Sequence, residues 1–416
     1  MMEGSALVKE RNRWVILAAL VINNICLGAT YVWSIFNAPL MEANGWQLSQ
    51  VSLAYSMLLL VTFFANLVSG QLQNKVGPRK LMLVALIFWG GGWFLTGFAR
   101  SLPQLYIFFS LIVGIGTGFG YNTVVSTIPR WFPDRKGLAN GLVIGASGLS
   151  PLPFAPLGYF LLERFGVQNS FKGLGAIFLV LMAATFWLIT APPKGWKPEG
   201  WEPPVATVKT GILQEKRTGE MVKDPVFYLL WFVLMTGATA GMIMTGHASG
   251  IGQELVGMTG SQGAMMVSLL AVMSFAGRLI MGSLSDKIGR YRTVLAIIII
   301  TAADMFFFGV VHSFPTFVLA LSVVGFCFGS IMSVFPALCS DTFGVTHMSS
   351  NWSVMYSGYT VASFIGPMSA AKCVEAFGSY VNVFVLSGVL AALALIALLA
   401  AMRINSRRVA QKAAAK

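Results

Sequence analysis

Long apolar stretches are the feature that most constrains how this chain can fold. Each approaches the roughly 20 residues that an α-helix needs to cross a bilayer. They lie at about 14–40, 49–70, 79–99, 104–127, 137–160, 170–191, 226–250, 262–284, 291–312, 315–338, 351–371 and 380–402. Because lipid cannot satisfy backbone polar groups, such stretches fold as helices. The sequence therefore predicts an all-α membrane protein with twelve transmembrane helices, which we number as spans 1 to 12.

The composition excludes a soluble protein. Of the 416 residues, 56% are hydrophobic and only 10% are charged, whereas soluble domains carry about 25% charged residues. The formal net charge of +13 would suggest an acidic or nucleic-acid partner in a soluble chain. In a membrane protein the positions of the basic residues must be considered first.

The basic residues are distributed unevenly between the two sides of the predicted helices. Of the 28 Lys and Arg residues, 23 fall in the tails and even-numbered loops, and four fall on or near the opposite side. Basic loops stay in the cytoplasm, so both termini are expected there. The chain is then a multi-pass protein of the inner (plasma) membrane, the lipid bilayer accounts for the charge, and no nucleic-acid partner is expected. The remaining basic residue, Arg278, lies inside span 8.

The twelve spans divide into two sets of six. A polar, proline-rich stretch at 192–224 separates them and is expected to be a cytoplasmic linker between bundles at 1–191 and 225–416. The string Gly-Gln-Leu-Gln-Asn-Lys-Val-Gly at 70–77, after span 2, parallels Gly-Ser-Leu-Ser-Asp-Lys-Ile-Gly at 282–289, after span 8. A repeat at half the chain length predicts two pseudo-symmetric six-helix bundles with a cavity between them.

These strings also carry a family resemblance. Gly-x-Leu-x-Asp-Lys-x-Gly-Arg at 282–290, its copy at 70–80 and the twelve spans resemble the major facilitator superfamily. The copy has Asn74 where that family usually has Asp. The string Arg-Trp-Phe-Pro-Asp-Arg-Lys-Gly-Leu-Ala at 130–139, with Tyr31, Trp33, Asn37 and Pro39, looks like the oxalate/formate antiporter family and the related monocarboxylate transporters. The resemblance implies a secondary transporter that works by alternating access.

Arg278 is the strongest candidate for binding a substrate. A charge inside a membrane span is costly unless it is paired or faces water, so such residues are usually functional. A guanidinium offers two parallel donors to one carboxylate. The alternative is that its long side chain reaches toward the nearby membrane surface. The resemblance implies that Arg278 contacts the substrate.

Polar aromatic residues are the second group of candidates. In span 11, Trp352, Tyr356, Tyr359 and Ser363 share one helical face, which is typical of packing but also of a cavity wall, because phenols in a membrane need partners. The resemblance places Tyr359 where the oxalate/formate antiporter has a lysine, and it implies cavity positions for Tyr31 and Tyr121. Asn122 is a weaker candidate beside the closely spaced glycines of span 4.

Two titratable residues inside spans could carry a proton. Asp304 is the only acid deep in a span, and His247 lies near the outer end of span 7. For Asp304 a structural contact with a neighbouring helix is the alternative, since the resemblance implies that span 9 is peripheral. For His247 the alternative is a structural histidine with its hydrogen bonds satisfied.

Together these features predict a carrier and not an enzyme. We expect a secondary transporter of a small monocarboxylate anion such as lactate or pyruvate, moving in symport with a proton. An oxalate/formate-type exchanger (an antiporter) is the alternative, and a multidrug exporter is disfavoured by a lone cationic side chain in the cavity. A membrane-bound sensor is a further alternative, but it would need a signalling domain. An enzyme is disfavoured because the sequence shows no nucleotide-binding loop, metal cluster or nucleophile–base set. No cofactor and no metal are therefore expected.

Overall fold

The structure is a computed structural model that describes residues 12–134, 136–193, 196–198, 215–344 and 347–414. In these ranges the chain forms helices, turns and loops, with no strand. Of the expected linker, residues 194–195 and 199–214 lie outside the described residues. The described part of that linker includes one helical turn, Thr218–Met221. The bundle boundaries at 191 and 225 remain a prediction.

The N-terminal spans are more irregular than the C-terminal ones. Span 1 comprises Arg13–Leu27, a 3₁₀ segment Gly28–Phe36 and Asn37–Asn44, span 2 is Leu48–Val76, and span 3 is Pro78–Thr96. Span 4 comprises Leu102–Leu105, a π segment Tyr106–Val113 and Gly114–Trp131. The first part of span 5 is Lys136–Gly148, and the long helix Pro151–Thr185 contains the rest of span 5 and all of span 6. Within Pro151–Thr185 the chain turns at Gly166, where φ is 73° and ψ is 170°. This turn therefore separates two antiparallel helices.

The C-terminal spans are mostly continuous helices. Span 7 is Pro225–Val256, span 8 is Gly260–Ile288, span 9 is Arg290–Phe308, span 10 is Phe314–Phe343, span 11 comprises Met348–Met355 and Ser357–Phe377, and span 12 is Val381–Ala414. Span 7 starts where the Asp224 side chain accepts a hydrogen bond from the Val226 amide, with Pro225 at the first helical position. Such a cap satisfies an amide that the helix itself cannot pair.

Nine helices of the described residues are long and apolar enough to cross a membrane. One of them, Leu142–Leu188, contains the turn at Gly166 and so counts twice. Two more helices complete the set: Pro78–Thr96, which has Arg79 and Lys80 in its first turn, and the more polar Ser357–Phe377. Twelve spans are thus present, as the sequence predicts.

The turns between spans repeat with the same offset as the sequence motifs. Among the described residues, the positions with positive φ are all glycines, and six of the seven form three pairs that are 212 residues apart. The pairs are Gly45 and Gly257 (φ 69° and 64°), Gly77 and Gly289 (84° and 93°), and Gly166 and Gly378 (73° and 71°). Glycine adopts positive φ without the steric penalty of a side chain. The pseudo-two-fold relation therefore extends to the backbone of the turns.

An even number of spans brings both termini to one side of the membrane, and we call the opposite side the far side. Near the far side, the first and second sets of six spans are joined by hydrogen bonds. The Asn37 side-chain amide donates to the Gly246 carbonyl at 2.9 Å, and the Ser49 amide donates to Glu375 at 2.6 Å. The structure is therefore closed between the two sets at the far side.

Candidate functional site

Arg278 lies deep within the membrane-spanning part of span 8. In the helix Gly260–Ile288, it lies about 27 Å from the far-side end and about 15 Å from the opposite end at 1.5 Å per residue. A Cβ atom at Gly148 in span 5 would lie 3.2 Å from Nη1 of Arg278. Among the described residues, Arg278 forms no ion pair, and its Nε is buried without a hydrogen-bond partner. The guanidinium is thus available to an anion.

Close helix packing holds span 8 in place around Arg278. A Cβ at Gly329 in span 10 would lie only 1.8 Å from the Ser274 carbonyl oxygen, and a Cβ at Gly277 would lie 2.1 Å from the Phe326 carbonyl oxygen. Glycine at both positions lets spans 8 and 10 approach backbone to backbone, as small residues do in membrane bundles. This contact fixes the backbone that carries both Ser274 and Arg278.

A small cavity adjoins Arg278. Its described lining comes from both halves of the chain and comprises Tyr31, Gly148, Pro151, Thr245, Val267, Leu270, Ala271, Ser274, Arg278 and Phe328. Among these residues Arg278 alone is charged, and most of the others are apolar. A mostly apolar cavity with a few polar groups is the usual form of a small-molecule site.

The tyrosines expected at the site gather around Arg278. Tyr356 and Tyr359 stack with ring centroids 4.8 Å apart and an interplanar angle of 23°. Both lie within electrostatic range of Arg278 and of Tyr31. Tyr121 lies within the same range of Arg278 and Tyr31. Five of the six expected binding residues therefore form one cluster, and of these Arg278 and Tyr31 are among the described lining residues of the cavity.

Three of these residues lie at matching depths. Tyr121 is 19 residues from Leu102, Arg278 is 18 from Gly260, and Tyr359 is 18 from Phe377, counted from the far-side ends of spans 4, 8 and 11. These counts correspond to about 27 Å in each helix. The cluster is therefore a layer across the bundle, with one cation facing several phenols.

The structure does not bring Asn122 into this cluster. Its side-chain amide donates instead to the Ser69 hydroxyl at 3.3 Å, and its side chain lies against Gly70 in span 2. Asn122 thus contributes to the packing of spans 2 and 4, although its neighbour Tyr121 belongs to the cluster.

Two further polar residues lie in the region of the site, although the sequence did not indicate them as binding residues. Ser274 lies one helical turn before Arg278, and its buried hydroxyl has no partner among the described residues. Tyr55 is fully buried, its ring stacks on Trp33 at 6.2 Å, and its hydroxyl also has no described partner. The four-residue spacing to Arg278 could have indicated Ser274. No pattern in span 2 distinguishes Tyr55 from a packing residue.

The two residues considered for proton transfer lie apart from the cavity lining. His247 is fully buried, and its Nε2 lies 2.9 Å from the Pro367 carbonyl oxygen and 3.3 Å from the Ser52 hydroxyl. Its Nδ1 lies 3.1 Å from the Tyr380 hydroxyl. His247 therefore connects both halves at the far side.

Asp304 is buried within the second set of spans. It is only 6% exposed, it lies near Cys327 of span 10, and its Oδ2 has no hydrogen-bond partner among the described residues. Neither Asp304 nor His247 is among the described lining residues of the cavity.

Twelve membrane helices, repeated in two halves with a cavity lined from both, are the architecture of a membrane carrier. The chain belongs to the Major Facilitator Superfamily, whose family model matches residues 18–280 and 248–416. It is accordingly a multi-pass membrane transporter and not an enzyme.

Relatives of the chain cover nearly its whole length. The uncharacterized MFS-type transporter YhjX of Escherichia coli (strain K12) is 31% identical over 359 residues, which cover 85% of this chain and 86% of that protein. The oxalate:formate antiporter of Oxalobacter formigenes is 28% identical over 375 residues, covering 88% and 86%. Human monocarboxylate transporter 12 is 25% identical over 400 residues, covering 90% and 77%.

Solved structures show the same fold. A bacterial homolog of the human lysosomal transporter Spinster, in an inward-facing and unoccupied conformation, superposes with a TM-score of 0.74 at 15% identity. The match covers 96% of this chain and 98% of that one. At this identity the comparison establishes the architecture, which agrees with the twelve spans described above.

Proposed function

We propose that this transporter carries small monocarboxylates such as lactate or pyruvate by alternating access. The observation that carries the proposal is the unpaired Arg278 in a mostly apolar cavity lined from both halves. A carboxylate there replaces the water around the guanidinium with a charge-assisted, bidentate hydrogen bond. The relatives named for oxalate, formate and monocarboxylates support the same class of cargo.

The single positive charge favours a monoanion over a dianion. Arg278 is the one charged residue of the described lining, so the carboxylate of a monoanionic substrate would balance it. The second carboxylate of a dianion would be buried without a charged partner, which is energetically costly. The hydroxyls of Tyr31, Tyr121, Tyr356 and Tyr359 can donate to the same anion. Tyr31 lines the cavity, and we propose that Tyr121, Tyr356 and Tyr359 complete the binding site around the anion.

A monocarboxylate can enter with a proton or in exchange for another anion. We propose proton symport, with Asp304 and His247 as the candidate proton sites and the cytoplasm as the side of both termini. An oxalate/formate-type exchanger is the second candidate, and it is favoured by the 28% identity to the oxalate:formate antiporter. Competition by oxalate against labelled lactate distinguishes them, because strong competition favours the exchanger.

The assignment of Arg278 is tested by uptake of labelled lactate into proteoliposomes under an imposed proton gradient. We expect Arg278→Ala to abolish uptake and Arg278→Lys to weaken it, since lysine keeps the charge but loses the bidentate geometry. Arg292→Ala is the matched control, because Arg292 is exposed at the start of span 9. Equal uptake by the Arg278→Ala variant and the unmodified protein would exclude Arg278 as the binding residue.

A further inference from the structure

Two hydrogen bonds between the halves are related by the same 212-residue repeat. The Ser56 hydroxyl in span 2 donates to the Phe364 carbonyl in span 11 at 3.2 Å, and the Ser268 hydroxyl in span 8 donates to the Pro151 carbonyl in span 5 at 2.9 Å. The serines are 212 residues apart and the two acceptors are 213 apart. Each bond therefore has a pseudo-symmetric counterpart.

The position of this pair is also symmetric. Ser56 and Ser268 each lie eight residues from the start of their helices, Leu48 and Gly260, which corresponds to about 12 Å from the far-side ends. Both serines are buried, at 0% and 7% exposure. Pro151 also lines the cavity. The Ser268 bond thus lies at the far-side edge of the cavity, next to the lining residue Val267, and the Ser56 bond lies at the matching depth in the other half.

Serine is suited to a contact that must form and break. Its hydroxyl can return to a carbonyl of its own helix, and Ser268 already lies 3.3 Å from the Ala264 carbonyl oxygen. Opening the far side would therefore leave neither hydroxyl without an acceptor. A buried ion pair in the same place would leave two unpaired charges when the halves separate.

We propose that Ser56 and Ser268 are paired positioning residues that hold the carrier in its far-side-closed conformation. Each bond contributes to the equilibrium between this conformation and the far-side-open one. The inference rests on the carrier function of the family and not on the identity of the cargo, so it can fail or hold independently of lactate uptake.

The test measures distances between spin labels on the purified full-length carrier in nanodiscs. Cysteines replace the exposed Arg164 and His312 for the far side, and the exposed Lys80 and Arg403 for the opposite side. The background carries Cys373→Ser, because the other three cysteines, Cys26, Cys327 and Cys339, are buried.

We expect Ser56→Ala and Ser268→Ala each to raise the ratio of far-side-open to far-side-closed molecules about fivefold, or about 1 kcal/mol at 1.4 kcal/mol per tenfold change. The double variant should raise it about 25-fold. Far-side distances should then lengthen while the opposite pair shortens.

Ser110→Ala is the matched control. The Ser110 hydroxyl is buried and donates to the Ala54 carbonyl at 2.7 Å, so it also joins two helices, but both belong to the first half. It should lower thermal stability without changing the distance distributions. The proposal is overturned if the double variant leaves the distributions unchanged, or if only one of the two serines shifts them.

Discussion

At the scale of single residues, a charge among apolar neighbours is easier to identify than a neutral polar group. Arg278 could be selected as a candidate from the sequence because a cation inside a membrane span is usually functional. Tyr356 and Tyr359 were indicated by their shared helical face, and the structure stacks their rings at 4.8 Å. Tyr55 could not be selected in the same way, since its electrostatic interaction with Tyr31 and Tyr359 depends on how spans 1, 2 and 11 meet.

The phenols of the cluster give a prediction at this scale. Tyr356→Phe and Tyr359→Phe keep the stacked rings but remove the hydroxyls. Because hydrogen bonds to charged groups are worth about 1.5–3 kcal/mol, each variant should raise the KM for lactate about tenfold or more while changing the maximal rate little. Initial rates of uptake at several lactate concentrations measure the effect. Tyr228→Phe is the control, because Tyr228 in span 7 is 56% exposed, and it should leave the KM unchanged. If Tyr356→Phe and Tyr359→Phe also leave the KM unchanged, their hydroxyls do not bind the substrate.

At the scale of helices, the sequence predicted the number and order of the spans better than the irregular segments inside them. Span 9 was expected at 291–312 and runs over Arg290–Phe308, and span 3 was expected at 79–99 and runs over Pro78–Thr96. The 3₁₀ segment Gly28–Phe36 was not predicted. There a Cβ at Gly28 would lie 2.2 Å from the Ser147 carbonyl oxygen. Hydrophobic periodicity cannot show such a contact, because it reports one helix at a time.

The contact between spans 8 and 10 gives a prediction at this scale. Gly329→Ala places a methyl group 1.8 Å from the Ser274 carbonyl oxygen, so the helices must move apart at a cost of about 1–3 kcal/mol. The thermal unfolding temperature in detergent should fall by several degrees, and lactate uptake should fall with it. Gly91→Ala is the control, since nothing lies within 4 Å of its added Cβ and alanine favours a helix. Equal effects of the two substitutions would contradict this account of span 8.

At the scale of the whole molecule, Asp224 connects the end of span 12 to the junction between the linker and span 7. Its carboxylate accepts hydrogen bonds from Arg408 of span 12 at 2.8 and 2.9 Å, from Lys216 at the end of the linker, and from the Val226 amide of span 7. Burial raises the pKa of Asp224, but these bonds together outweigh burial and lower the pKa from 3.8 to about 2. The junction is therefore stabilised by the ionised form.

The depressed pKa predicts a loss of stability in acid. Because the folded pKa lies below the unfolded one, the stabilisation is complete above about pH 5 and is lost as the pH falls toward 2; it amounts to about 2 kcal/mol at neutral pH. Thermal unfolding of Asp224→Asn and the unmodified protein measures it at pH 7 and pH 3. The variant should be less stable at pH 7, and the difference should shrink by about half at pH 3. A difference of the same size at both pH values would show that the charge of Asp224 does not matter.

The single cation of the cavity also determines how much charge crosses the membrane in each cycle. Closing the halves around an unpaired guanidinium removes its hydration without replacement, whereas closing them around a guanidinium and one carboxylate encloses a neutral pair. A monoanion that travels with one proton, or in exchange for another monoanion, then produces no current. A membrane voltage of 100 mV changes the free energy of moving one elementary charge by about 2.3 kcal/mol. It would not affect a transport cycle that moves no net charge. With Arg278 as the sole charged residue in the described lining, the direction of transport would follow the gradients of anion and proton concentration alone.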